Sequence, residues 1–156
     1  MKNKIVIVFI SAIFIACNST VQAPEATSSK NPIEGTWKLL TGTLIEKGNT
    51  VVTDYTKGKS FIKIINADHF AFLTHDLSRG KNADSMFVAG GGGYSLHDSS
   101  YTEHLEYCND RQWEGNDFSF TVTINNDTLV QKGIEKIDSL GVNRLNIEKY
   151  VRLNEK

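Results

Sequence analysis

A single antiparallel, up-and-down β-barrel of about eight to ten strands is the fold class this sequence predicts, and three observations predict it. From Thr36 onward the chain consists of short runs rich in β-branched and aromatic residues, separated by clusters of Gly, Asn and Asp. The run "DFSFTVTIN" alternates with period two, placing Phe118, Phe120, Val122 and Ile124 on one face and Ser119, Thr121 and Thr123 on the other. That is a strand with one side in a core and one in water. No long segment carries a helical period and no internal repeat is present. Successive strands with short links leave exposed edges, and curling into a barrel removes them.

Taken in order, the chain begins with "MKNKIVIVFISAIFIAC". Lys2 and Lys4 precede an apolar run from Ile5 to Ala16, too short to span a bilayer comfortably but laid out like an export signal. Phe14-Ile15-Ala16-Cys17 resembles the lipobox of bacterial lipoproteins, with Phe14 in place of the usual Leu, Ile or Val. The resemblance implies cleavage before Cys17 and acylation, including palmitate, on that cysteine. A secretory signal cut elsewhere, with Cys17 incidental, is the plainer alternative. Each buried acyl methylene contributes about 0.8 kcal/mol, so several chains together make a nearly permanent membrane anchor. Asn18 where enteric inner-membrane lipoproteins have Asp implies the outer membrane, and the tether has no acidic cluster that would send it to the cell surface. A periplasm-facing position is expected. Residues 17–31 hold one valine and no aromatic side chain, too little apolar surface to offset ordering entropy, so they read as a flexible tether. The expected division is 1–16 signal peptide, 17–31 lipidated tether and 32–156 barrel, the last about the size of one domain.

The candidate strands are "TWKLLTGTLIE", "TVVTDY", "KSFIKIIN", "HFAFLTHD", "MFVAGGGGYSL", "SYTEHLEYC", "DFSFTVTIN", "TLVQKGIEKI" and "RLNIEKYVRL". "NAD" at 66–68 and "NND" at 125–127 are turns, the second making a hairpin. "DLSRGKNADS" is a polar loop. Ser100 and Glu103 have capping-box spacing, yet Tyr and Thr favour a strand and nine residues make a weak isolated helix. As a strand, Tyr101, Glu103, Leu105 and Tyr107 share a face. Gly90 to Gly93 lead into Tyr94-Ser95 without the lysine or the helix start of a phosphate loop, so they read as a bent strand that also admits another backbone closely.

Three features place these strands near a known family. "GTW" at Gly35–Trp37 opens the first strand as the Gly-x-Trp motif does in lipocalins. Arg152 in "YVRL" lies where lipocalins often put an arginine over the tryptophan at the barrel base. The glycine tract before Tyr94, followed by "YTE", looks like the lipocalin-like domain of small Bacteroidetes lipoproteins of unknown function. The resemblance covers roughly residues 33–153. It implies barrel closure by Gly35, Trp37 and Arg152, whose stacking would contribute about 0.5–2 kcal/mol. The chain lacks an evident C-terminal helix and the usual disulfides of that family.

Chemistry is sparse. The whole chain carries 17 basic and 18 acidic side chains, so loss of Lys2 and Lys4 with the signal would leave −3, and no basic patch alternates with aromatics. Nucleic acid is not an expected partner. With Cys17 acylated, Cys108 is left without a disulfide partner in an oxidising compartment and reads as a small residue packed in the sheet, with a reactive or metal-binding thiol as the alternative. His69 and His75 are too far apart on an extended strand to share an ion; His97 and His104 could meet across the "HDSS" turn with Glu106 or Cys108, though exposed turn histidines are the plainer reading. No metal or cofactor is expected. Nothing resembles a nucleophile triad, so an enzyme is not expected.

Glu103 is the acid to watch. On the apolar side of its strand it must find a cation or hydrogen bonds, or take up a proton; Tyr150 and Arg152 are the candidate partners. They share one face of the last strand, while Leu145, Ile147, Val151 and Leu153 make the other face look more core-like. The resulting expectation is a membrane-anchored barrel that binds a small, partly apolar ligand inside. Its candidate lining is Phe70, Phe72, Tyr94, Leu105, Phe118 and Phe120, with Glu103, Tyr107 and Tyr150 as further ligand-binding candidates. The alternative is a packed barrel without a cavity that serves as an envelope protein–protein interaction module.

Overall fold

Closure of the sheet is made by its first and last strands. In the computed structural model, which describes residues 31–83 and 85–153, β1 (Gly35–Glu46) pairs antiparallel with β10 (Val142–Arg152), Trp37 opposite Arg152 and Ile45 opposite Leu145. Between them run β2 (Asn49–Asp54), β3 (Lys59–Ile65), β4 (His69–Asp76), β5 (Phe87–His97), β6 (Ser100–Leu105), β7 (Tyr107–Cys108), β8 (Asn116–Asn125) and β9 (Thr128–Ile137). Eight of them, β1, β3, β4, β5, β6, β8, β9 and β10, form a closed antiparallel ring in which chain neighbours are sheet neighbours. β2 folds back on the second half of β1 and pairs with it alone, while β3 takes the first half of the same edge, Gly35 to Lys38. The expected signal peptide, the acylated Cys17 and most of the tether lie outside the described residues.

The links are as short as the sequence implies. Asn66 Oδ1 accepts from the backbone N–H of Asp68 (3.0 Å) and His69 (2.7 Å), fixing the β3–β4 turn. Asn126 takes a left-handed φ of 50° in the β8–β9 hairpin, a conformation Asn tolerates. The longer β4–β5 loop is tied by Asp76, whose carboxylate accepts from the Ser78 hydroxyl, from Gly80 N–H (3.0 Å) and from Met86 N–H (3.1 Å). The Ser78 bond first, then those backbone bonds, hold its carboxyl down at about 2.

The four glycines of β5 serve close approach rather than torsional freedom, since none takes a left-handed φ. A Cβ on Gly92 would collide with the carbonyl oxygen of His104. One on Gly91 would sit 2.5 Å from the carbonyl oxygen of Phe70, and one on Gly90 2.8 Å from that of Tyr107. β4 crowds Gly91 from one side, and a bulge on the strand at the other side crowds Gly90 and Gly92. β6 pairs Tyr94 with Glu103, but after Leu105 the register has slipped by one, so β7 pairs Gly91 with Tyr107 and Gly90 with Cys108. An extra residue in one strand turns every later side chain to the opposite face. Tyr107 therefore points outward, 67% exposed, instead of sharing the inner face with Glu103 and Leu105, and Cys108 takes the inward position.

One end of the barrel is packed shut by Ile33, Trp37, Leu39, Ile65, Phe70, Tyr101, Leu129 and Tyr150, all buried. Trp37 Nε1 donates to Ile33 O at 2.7 Å. The Arg152 guanidinium lies 4.0 Å from the centroid of the Trp37 ring and donates to Glu34 O (2.6 Å) and Pro32 O (2.5 Å). Gly35 is at φ +141°, and a Cβ there would lie 2.5 Å from Arg152 Nη1. The arginine covers the base and ties the entering chain to the last strand.

The inner face of β10 is the polar one. Asn146 and Tyr150 are buried and, with Glu148, point into the barrel, while Leu145, Ile147 and Val151 lie on the outer face at intermediate exposure. The aliphatic face is the outer one because the inner face lines a cavity with charged and polar walls above the base.

Candidate functional site

Above the packed base the barrel encloses a cavity of about 520 Å³, within the range of small-molecule sites. Period-two alternation supplies its walls: Phe61 and Lys63 from β3, Glu103 and Leu105 from β6, Phe118 and Phe120 from β8, Gln131 and Glu135 from β9, and Arg144, Asn146 and Glu148 from β10. Trp113, carried on a 3-10 turn over Arg111–Trp113, closes one side. Its ring lies 5.9 Å from that of Phe118 and beneath the Arg144 guanidinium at 5.2 Å.

Aromatic and charged side chains share the wall. Phe61 stacks on Phe72 at 5.9 Å, and Tyr55 meets Phe61 edge-on at 5.8 Å. The charged groups form two clusters. Lys63 Nζ bonds Glu103 Oε1 at 2.6 Å and Gln131 Oε1 at 3.1 Å, with Glu148 Oε2 at 3.9 Å and the Tyr150 ring 5.4 Å away. Tyr150 donates its hydroxyl to Glu148 Oε2 at 2.7 Å. Higher up, Glu135 takes Arg144 Nε at 2.6 Å on one oxygen and Asn146 Nδ2 at 2.7 Å on the other.

Burial sets the electrostatics of the lower cluster. It pulls the Lys63 ammonium down, but the Glu103 and then the Glu148 charges outweigh it, so the group lies above its ordinary value and stays charged. Burial pushes the Glu103 carboxyl up against the opposing pull of Lys63, so it keeps a proton to higher pH than a solvated glutamate. Tyr101 and Tyr150 are both raised, first by burial and then by the carboxylate beside each, Glu103 and Glu148 respectively. The Tyr101 hydroxyl is fully buried and makes no well-formed hydrogen bond, although Glu103 is close enough to act on it.

Of the residues proposed from sequence, Phe72, Glu103, Leu105, Phe118 and Phe120 line this cavity. Phe70 and Tyr150 sit in the packed base, Tyr150 reaching the cavity only through Glu148. Tyr94 lies beside Tyr101 at 5.3 Å and points its hydroxyl to Asn66 O at 2.8 Å, away from the interior. Tyr107 is outside. Glu103 does find a cation, but it is Lys63; Arg152 is occupied at the base. Lys63 escapes sequence reading because its strand, "KSFIKII", offers Ile62 and Ile64 as the more apolar face, and Ile64 proves 40% exposed. A lysine between Phe61 and Ile65 on one face of a strand was the available signal. His104 pairs with Asp117 at 2.8 Å and His69 with Asp68 at 2.7 Å, both on the outside, and among the described residues no three His, Cys, Asp or Glu side chains gather as metal ligands.

Neither a model of a known protein family nor a curated protein sequence matches the chain.

Proposed function

We propose that this chain is a membrane-anchored, lipocalin-like lipoprotein that holds a small, partly apolar molecule inside its barrel. The observation that carries the reading is the 520 Å³ cavity with both aromatic and charged side chains in its wall. A barrel serving only as a scaffold has no reason to turn Lys63, Glu103, Glu135, Arg144 and Glu148 into its interior, because burying charge costs several kcal/mol per ion before pairing offsets it. Binding sites combine apolar walls with a few placed polar groups, and that is the arrangement here.

The test is native mass spectrometry of the full chain after incubation with an envelope lipid extract. A bound molecule should appear on the wild type and be weakened in Phe120→Trp, whose larger ring narrows the cavity. Repeated absence of any adduct refutes the carrier reading. Anchoring through Cys17 is tested separately: radiolabelled palmitate should enter the wild type and not Cys17→Ser, and Cys17→Ser should leave the membrane fraction. Label retained by the variant refutes the anchor.

The second reading, a surface that docks a protein partner, is favoured by β2. That strand pairs on one side only and carries Val51 and Val52 at 58% and 64% exposure, the combination that edge-strand pairing exploits.

A further inference from the structure

Charge balance in the cavity points to the kind of molecule it takes. Four acidic side chains line it, Glu103, Asp110, Glu135 and Glu148, against two basic ones, Lys63 and Arg144. Glu135 is fully used by Arg144 and Asn146. At the cavity floor one ammonium faces two carboxylates, and it bonds Glu103 and Gln131, leaving Glu148 at 3.9 Å. Glu148 is 14% exposed, accepts only the Tyr150 hydroxyl, on Oε2, and has no donor on Oε1 among the described residues.

An aromatic ring stands beside this carboxylate. Glu148 pairs with Gly42 across β1 and β10. A Cβ on Gly42 would lie 3.1 Å from Tyr55 Cε2, so the glycine makes room for the Tyr55 ring against the strand pair that carries Glu148. Tyr55, Phe61 and Phe72 then run as a continuous aromatic wall away from the carboxylate. A carboxylate short of a donor beside an aromatic side chain is complementary to an ammonium group with an apolar body. An anionic head would meet the acidic excess and a lysine with two of its three N–H donors already bonded.

We propose that the barrel binds an organic cation, its nitrogen on Glu148 and its apolar body along Tyr55, Phe61 and Phe72. The proposal rests on the interior-ligand reading above. A bound ammonium donates to Glu148 Oε1 and brings the floor from one cation against two carboxylates to two against two.

Three terminally substituted probes of one shape test it by isothermal titration calorimetry on the full chain at neutral pH: phenylbutylamine, phenylbutanol and phenylbutyrate. The amine should bind about tenfold or more tightly than the alcohol, the factor expected of one hydrogen bond to a charged group, and phenylbutyrate should be weakest. Glu148→Gln should remove the lead of the amine over the alcohol. If the alcohol or the carboxylate equals the amine, the cation assignment is overturned and the cavity reading stands. If the amine leads but Glu148→Gln does not lower it, the assignment to Glu148 is overturned. No heat from any of the three, together with no adduct from the lipid extract, removes the cavity reading and this proposal with it. The ranking on the wild type needs no variant, so the proposal remains decidable should Glu148→Gln fail to fold.

Discussion

Replacing Lys63 by Met is the most informative single perturbation of the interior. The substitution keeps an unbranched side chain one atom shorter and removes the ammonium at the cavity floor, leaving Glu103 without its 2.6 Å partner and Glu148 without the cation at 3.9 Å. Removing one member of a buried ion pair typically costs about 3–5 kcal/mol, because the other charge stays buried and unpaired. About 3 kcal/mol at neutral pH, the low end of that range, is the expected loss, measured by urea denaturation. The loss should depend on pH, with a definite sign. Glu103 already has its folded-state pKa raised, and losing Lys63 raises it further. A group whose folded pKa lies above its unfolded value adds stability that is complete below the unfolded pKa and is lost as pH rises through the folded one. The gap between wild type and Lys63→Met should therefore be narrow where Glu103 is protonated in both proteins, and widen by up to about 1.4 kcal/mol per pH unit above that range until Glu103 ionises in the variant. Adding Glu103→Gln should recover part of the loss at neutral pH. A Lys63→Met variant within about 1 kcal/mol of the wild type at every pH would show that this ion pair does not hold the floor together, and the reasoning would fail.

Other outcomes follow from the base, the glycine tract and the loop. Arg152→Ala removes stacking on Trp37 at 4.0 Å and two carbonyl bonds, and should cost about 2–4 kcal/mol. Trp37 fluorescence should report earlier unfolding, and Arg152→Lys, without the fork, should not restore stability. Within the tetraglycine, Gly92→Ala should abolish or severely weaken folding, because its Cβ meets the fixed His104 backbone. Gly93→Ala should be tolerated, since its nearest neighbour is the movable Glu106 Oε1 at 3.4 Å; thermal melts of the two variants decide it. Asp76, with its carboxyl held at about 2, contributes stability present above its unfolded pKa and lost as pH falls toward 2. Asp76→Asn should speed amide exchange at Gly80 and Met86, read by hydrogen–deuterium exchange, with the barrel strands unchanged.

The sequence by itself determined the all-β class, the hairpin at 125–127, the turn at 66–68 and the strand at Ser100–Leu105, because period-two alternation and turn chemistry are local and leave their mark residue by residue. Trp37 under Arg152 was legible through resemblance, since both lie at strand ends whose pairing a closed meander dictates. Gly90 to Gly93 announced close approach but not its cause. Only the tertiary structure decided that a one-residue bulge after Leu105 sends Tyr107 out and Cys108 in, because register is a property of two strands and never of one. It also decided that β3 and β10 turn Lys63, Asn146 and Glu148 inward and Ile64, Leu145 and Ile147 outward. The usual rule assigns the apolar face to the interior, and it presumes an interior that is dry. A cavity enclosed by the barrel wall reverses the preference on the strands that border it, and no single strand carries a sign that it will border one.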